Sequence, residues 1–238
     1  MKISVIIPMY NEKGNAPIIL KKLVESIREW PDEYEIIAVD DFSTDVTADI
    51  LKDYSIKYDA ITAVIRRGGK RGMGMALICG MKESGGDIIV WVMGDLSDNL
   101  EKIPEMVDKI KKGYNIVFGS RYMEGGSIGN LGRLKAFLSS RFTVFARILF
   151  GIGVDDITNA FRAFRREVGE KVKLESPDFA ISPELAIKAH LLGYKLGEVP
   201  CSYASRVADK TKFKMFRMVT RYFTLFKYRF YRRKDIAK

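Results

Sequence analysis

The 238-residue sequence has one histidine, His190, and two cysteines, Cys79 and Cys201. His190 falls on a predicted helix and reads as structural. Each cysteine stands alone in an apolar stretch with no partner at metal-ligand spacing, the pattern of reduced thiols in a cytosolic protein. No run approaches the roughly 18 uncharged apolar residues of a membrane-crossing helix. The apolar start over residues 1–8 is too short for a signal peptide and reads as a buried strand. No GxxxxGK[ST] spacing occurs, which excludes a Walker loop, and Gly72-Met73-Gly74 lacks the third glycine of a dinucleotide fingerprint. Internal repeats and low-complexity linkers are absent too.

What is present is 47% hydrophobic residues, enough for one sizeable core. The formal charge of +10 is unevenly placed: from Lys210 onward there are eleven Lys or Arg and one acid, Asp235. The whole excess lies there, and residues 1–209 are neutral in sum. The expected organisation is a catalytic body over 1–209 and a basic amphipathic tail over 210–238.

The first half alternates strands with helices. Strands are expected at 3–7, 35–39, 61–65, 87–93 and 115–118, and helices at 16–30, 43–51, 72–80 and 103–111. This rhythm predicts an α/β fold, a mostly parallel sheet with helices on both faces. Further on, 134–154 is apolar with spaced arginines, 182–192 is a helix with Pro183 in its first turn, and 196–203 is strand-like. Ligands of such sheets bind at the carboxyl ends of the strands. Those ends carry Pro8 to Glu12, Asp40-Asp41, Arg66 to Lys70, Gly94-Asp95-Leu96-Ser97-Asp98 and Gly119-Ser120-Arg121, so charge collects at one sheet edge.

Asp95 and Asp98, on a turn past a β-branched strand, can share one hard cation such as Mg2+ or Mn2+. That ion would bridge the diphosphate of a nucleotide-sugar and stabilise the leaving nucleoside diphosphate. The bland reading is a helix cap or a solvated pair. Asp40-Asp41 can accept from a base N–H or ribose hydroxyls, or can cap the next helix. The glycine-rich basic loop from Arg66 through Lys70 and Gly72 to Gly74 allows close backbone approach to phosphate at a helix start.

The motifs Val5-Ile6-Ile7-Pro8-Met9-Tyr10-Asn11-Glu12, Val39-Asp40-Asp41-Phe42-Ser43-Thr44-Asp45 and Gly72-Met73-Gly74 resemble family 2 glycosyltransferases with the GT-A fold. Gly119-Ser120-Arg121-Tyr122, Asp156-Ile157-Thr158-Asn159-Ala160-Phe161-Arg162 and Glu198-Val199-Pro200 narrow the resemblance to the dolichyl-phosphate mannose synthase branch. The resemblance implies that Pro8, Tyr10, Asn11, Glu12, Asp40, Asp41, Lys70, Gly72 and Asp95 serve the nucleotide-sugar, with Asp95 and Asp98 on the metal. It implies phosphate-binding roles for Arg121, Arg133, Arg162, Arg206 and Lys212, with Arg206 also in the catalytic set. The sequence departs from the family at four places, one of them before Lys212, where Asp209 or Lys210, and Thr211, stand for the family's Gly and Ser. The usual D-A-D centre is replaced by Gly94 to Asp98, Phe42 replaces a common glycine, and Phe137 replaces a serine.

The implied reaction is direct displacement with inversion onto a polyprenyl phosphate. That acceptor is already anionic and needs no base. A hydroxyl acceptor would need one, with Glu184, Asp155 or Asp156 as candidates. Phe213, Phe216, Val219, Phe223, Phe226 and Phe230 recur at spacings of three or four among Lys and Arg, as in a helix lying in a membrane interface at the cytoplasmic face. Residues 134–154 form a second such candidate. Alternatively these helices pack on the body or on a separate membrane subunit. A nucleic-acid-binding protein would also be basic and aromatic, but here the site edge is acidic, so no nucleic-acid partner is expected.

Overall fold

The computed structural model describes residues 1–204 and 215–238, of which 215–219 in backbone alone. Seven strands form one sheet in the order β3-β2-β1-β4-β6-β5-β7. They are β1 (Lys2–Met9), β2 (Glu33–Asp41), β3 (Ile61–Arg66), β4 (Ile88–Trp91), β5 (Ile116–Ser120), β6 (Arg162–Arg165) and β7 (Leu196–Pro200). All pairings are parallel except those of β6, which runs antiparallel between β4 and β5. The expected mostly parallel α/β sheet is present. The sequence reading missed β6, a four-residue strand with arginine at both ends.

Both faces of the sheet are covered, which is why its central strands read as unbroken apolar runs. Ile3, Val5 and Ile7 face α1 (Ala16–Ile27), α2 (Thr47–Lys57) and α4 (Ile103–Lys111), where Leu20, Leu23, Leu51, Met106 and Val107 are buried. Ile6, Ile37, Trp91 and Phe118 belong to the opposite core, with α3 (Met73–Glu83), α5 (Arg133–Phe150) and α7 (Ile181–Leu191). The apolar stretch at 134–154 is helical as far as Phe150, and Gly151 ends it with φ 74°. Short helix α6 (Arg166–Lys171) follows β6.

The carboxyl-terminal segment is not one long helix over 213–231. Within the described residues α8 (Met215–Thr224) gives way to a 3-10 turn, Leu225–Phe230, and to α9 (Arg233–Ile236). Leu225, Tyr228 and Ile236 are buried in the α7-side core. Ala237 bridges Val172, and the Lys173 N–H donates to the Ile236 carbonyl at 2.9 Å. Residues 225–238 are therefore part of the body, not a detached tail. Their aromatic spacing is real, but half of it faces inward.

A buried ionic knot secures this return. Lys188 and Glu184 are both fully buried and meet at 2.6 Å, and the Tyr228 hydroxyl donates to Glu184 at 3.1 Å. Tyr228→Phe should lower stability by about 1–2 kcal/mol in urea denaturation. Phe230→Ser, at a residue 87% exposed, should change it by less than about 0.5 kcal/mol. Equal effects would contradict this packing.

Candidate functional site

The loops after β1 and β2 are sewn together by side chains. The Asn11 N–H donates to the Ser43 hydroxyl at 2.9 Å, and the Thr44 N–H donates to Asn11 Oδ1 at 2.7 Å. Glu12 is buried; its N–H donates to Thr47 Oγ1 at 2.9 Å and its carboxylate accepts from Asn15 at 2.7 Å. Pro8 is buried in the strand, and Tyr10 lies under the Arg71 guanidinium, 3.6 Å from the ring centroid.

Asp40 and Asp41 are buried at the end of β2. Arg67 pairs with Asp40 at 2.5 Å, while Asp40 Oδ1 has no hydrogen-bond partner among the described residues. Asp41 pairs with Arg66 and accepts the Gly72 N–H at 2.8 Å. Burial raises the Asp41 pKa against the pull of that N–H and of the arginines. Gly72 has φ 138°, and a Cβ there would fall 2.2 Å from the Pro177 carbonyl oxygen, so only glycine fits. The Lys70 side chain is exposed, and its carbonyl accepts from Arg66 at 2.8 Å.

The acidic turn follows β4. Asp95 Oδ1 accepts the Ser97 hydroxyl at 2.5 Å, and Asp98 Oδ2 accepts the Met93 N–H at 2.7 Å. Burial pushes the Asp98 carboxyl up to about 7, with the Asp95 charge adding to it and the Met93 N–H opposing it. Asp95 opens into a cavity of about 380 Å³, whose polar end also holds Ser97, Arg121, Thr158 and Asn159. The cavity continues between α5 and α8 along Phe142, Phe145, Tyr222, Phe223 and Phe226.

The cations expected to hold phosphate divide sharply. Arg121 lines the cavity while held by Asp156, Nε to Oδ2 at 2.7 Å and Nη2 to Oδ1 at 3.0 Å. Burial opposes its charge, and Asp156 more than offsets that, raising its pKa. Arg162 is fully buried; its guanidinium donates to the carbonyls of Ser182 at 2.6 Å and Ile157 at 3.2 Å, and also to that of Asn159. It lies 4.8 Å from the Phe118 ring centroid. Arg162 is thus a core residue and no phosphate ligand, because no substrate can reach it. Arg133, the first residue of α5, is exposed and outside the cavity lining. Arg206 and Lys212 lie outside the described residues. Lys135, which the sequence reading passed over, and Arg141, which it took only as a spaced arginine of the apolar stretch, line the cavity. Their signal was present as cations on this helix, Lys135 seven residues before Phe142 and Arg141 four residues before Phe145.

The sequence pattern of Glycosyl transferase family 2 matches residues 4–173. The chain belongs to this family. It is 35% identical over 216 residues to a dolichol-phosphate mannosyltransferase of Pyrococcus furiosus, covering 90% of this chain and 60% of that protein. It is 30% identical to a polyprenol monophosphomannose synthase of Mycolicibacterium smegmatis, covering 87% of this chain and 79% of that one. The family fold is shared with glucosyl-3-phosphoglycerate synthase of Mycobacterium tuberculosis, solved with phosphoglyceric acid. There the TM-score is 0.75 at 19% identity, over 96% of this chain and 79% of that one.

The two arginines should separate on substitution. Arg121→Met, which leaves Asp156 buried and unpaired, should cost about 3–5 kcal/mol in urea denaturation at neutral pH. Arg133→Met should cost less than about 0.5 kcal/mol. A small loss at Arg121 would show that Asp156 finds water or another cation.

Proposed function

We propose that this chain is a metal-dependent inverting glycosyltransferase that moves a sugar from a GDP- or UDP-sugar to a polyprenyl phosphate at a membrane surface. The carrying observation is the cavity, polar at Asp95, Ser97 and Arg121 and aromatic along Phe142, Phe145 and Phe226. An acceptor with an anionic head and a long apolar chain matches both ends. The names of the two relatives point the same way, and the chain's match to both covers most of its length.

Asp95 and Asp98 fit a hard divalent cation. They are oxygen donors, and their mutual repulsion favours a positive charge between them. Among the described residues no cluster of three or more His, Cys, Asp or Glu surrounds them, so donor oxygens and water complete the shell, the usual arrangement for Mg2+. When bound there, Mg2+ or Mn2+ supplies charge neutralisation for the donor diphosphate and the departing nucleoside diphosphate. Asp40 and Asp41 face the nucleoside. Arg121, Lys135 and Arg141 orient the acceptor phosphate, whose oxygen attacks the anomeric carbon.

That attack needs no base, and the carboxylates weighed as bases are otherwise engaged. Asp156 is held by Arg121, Asp155 by Arg147, and Glu184 by Lys188 and Tyr228. This favours a phosphate acceptor over a hydroxyl one.

No described helix is long and apolar enough to cross a membrane. Instead, Leu134, Phe137, Phe145 and Ile148 stand out from α5 and Phe223 from α8, at or beside the cavity. With Arg141 among them, this stripe suits a peripheral seat on the cytoplasmic face of an anionic bilayer.

The direct test is a panel of UDP- and GDP-sugars with Mg2+ or Mn2+ and a polyprenyl phosphate, read for lipid-linked product. One donor should give product, and Asp95→Ala should reduce the rate by at least about 100-fold. Full activity of Asp95→Ala with metal supplied would remove the metal assignment. Leu134→Ser with Ile148→Ser should weaken binding to anionic vesicles about tenfold or more. Unchanged vesicle binding would argue against the stripe.

A further inference from the structure

The donor and acceptor sides of the site meet at one loop, residues 175–180, between α6 and α7. Its backbone lies flat against the glycine turn that serves Asp41. The Gly74 N–H donates to the Pro177 carbonyl at 2.9 Å. A Cβ on Gly74 would come within 2.1 Å of the Ser176 carbonyl oxygen. Neither glycine can move without moving the loop. Two residues earlier in the turn, Gly72 holds Asp41 at 2.8 Å.

The other side of the loop reaches the acceptor cavity. The Phe179 side chain lines it. Asp178 Oδ1 accepts the Ala180 N–H at 3.1 Å, and its Oδ2 meets Arg221 Nε of α8 at 3.4 Å. The residues next to Arg221, Tyr222 and Phe223, form the cavity wall. The near end of the loop is pinned, because Glu184 accepts the N–H groups of Glu175 at 3.1 Å and Ser176 at 2.8 Å. Motion at the cavity therefore passes to the segment 177–179, which rests on the glycine turn.

We infer that Asp178 and Arg221 are a positioning pair that couples occupancy of the acceptor cavity to the nucleotide pocket, through the Pro177 contact with Gly72 and Gly74. This rests on reading the cavity as the acceptor site. A chain packed against Phe179, Tyr222 and Phe223 fixes α8 against the loop, the loop holds the glycine turn, and the turn holds Asp41. Such coupling is reciprocal: acceptor tightens nucleotide and nucleotide tightens acceptor by the same factor. The pair is partly exposed, with side-chain exposures of 22% and 41%, so its own contribution to stability is small. A variant can break the link without unfolding the protein.

The test measures affinity for GDP and for UDP, each with Mn2+, by titration calorimetry without and with a saturating short-chain polyprenyl phosphate. In the wild type the acceptor should tighten nucleotide binding about fivefold or more. In Asp178→Asn and in Arg221→Gln that ratio should fall toward one. Each affinity measured alone should stay within about twofold, and the melting temperature within about 2 °C. Exchanging the charges in Asp178→Arg/Arg221→Asp should restore part of the ratio, which a merely structural role would not do. A wild-type ratio of one, or an unchanged ratio in both single variants, overturns the coupling while leaving the proposed function intact. Failure of the wild type to bind any nucleotide or the acceptor overturns both.

Discussion

The half of the molecule that holds the cavity depends on the buried pairing of Arg121 with Asp156. Arg121 follows β5 and Asp156 precedes β6, so their two-pronged contact fixes where the chain turns to run backward through the sheet. The same carboxylate accepts the N–H groups of Thr158 and Asn159, each at 3.1 Å, and Asn159 in turn donates to the Gly119 carbonyl at 2.8 Å. Without that loop β6 could not enter antiparallel between β4 and β5. Because it does, the chain reverses once. β7 then joins the edge of the sheet beside β5, α7 and α8 gather on the side where α5 lies, and the cavity forms between α5 and α8. A guanidinium in this position both holds the loop and presents positive charge to the cavity, so architecture and chemistry draw on one side chain.

The donor half obeys a different constraint. Four parallel strands bring their carboxyl ends to one edge, and three of these ends carry aspartates or a glutamate. Left unpaired, buried carboxylates would take up protons. Arg66 and Arg67, at the end of β3, neutralise Asp41 and Asp40 at the neighbouring strand end. Asp95 and Asp98 receive hydrogen bonds from their own turn, and burial, with the Asp95 charge beside it, pushes the Asp98 carboxyl up to about 7.

Much of this was legible in the sequence, and the reason is geometric. A strand covered on both faces must be apolar throughout, so β1, β2 and β4 announce themselves, and whatever polar residues follow them lie at the ligand edge. The parts that were not legible are those where polarity and location disagree. β6 is short and bears a fully buried arginine, a residue that ordinarily signals surface. Its carbonyl partners come from residues 157–160 and from Ser182, and only the folded chain puts them in reach. The aromatic period from 213 to 230 indicated a helix with one apolar face. It did not say that Leu225 and Tyr228 would find a core on α7 while Phe223 and Phe230 would not. Lys135 and Arg141 were visible as cations on a helix, yet which of that helix's cations face the cavity follows from how α5 is rotated against α8. Arg133, singled out from the family pattern, faces outward.

Two departures from the family pattern, at Phe42 and at Leu96, share one backbone feature. Among the described residues three non-glycine residues have positive φ: Asn11 at 51°, Phe42 at 61° and Leu96 at 62°. They follow β1, β2 and β4, so each sits beside a candidate ligand of the donor. A side chain in this conformation costs on the order of 1 kcal/mol or more relative to glycine, and it persists where something else holds it. Asn11 is held by Thr44, and Leu96 packs on the core beneath the sheet. Phe42 lies 5.5 Å from the Arg66 guanidinium that neutralises Asp41. Glycine at position 42 would relax the backbone and leave Arg66 without that ring. In this chain the strained phenylalanine stands behind the arginine, and the arginine sets the carboxylate at the end of β2.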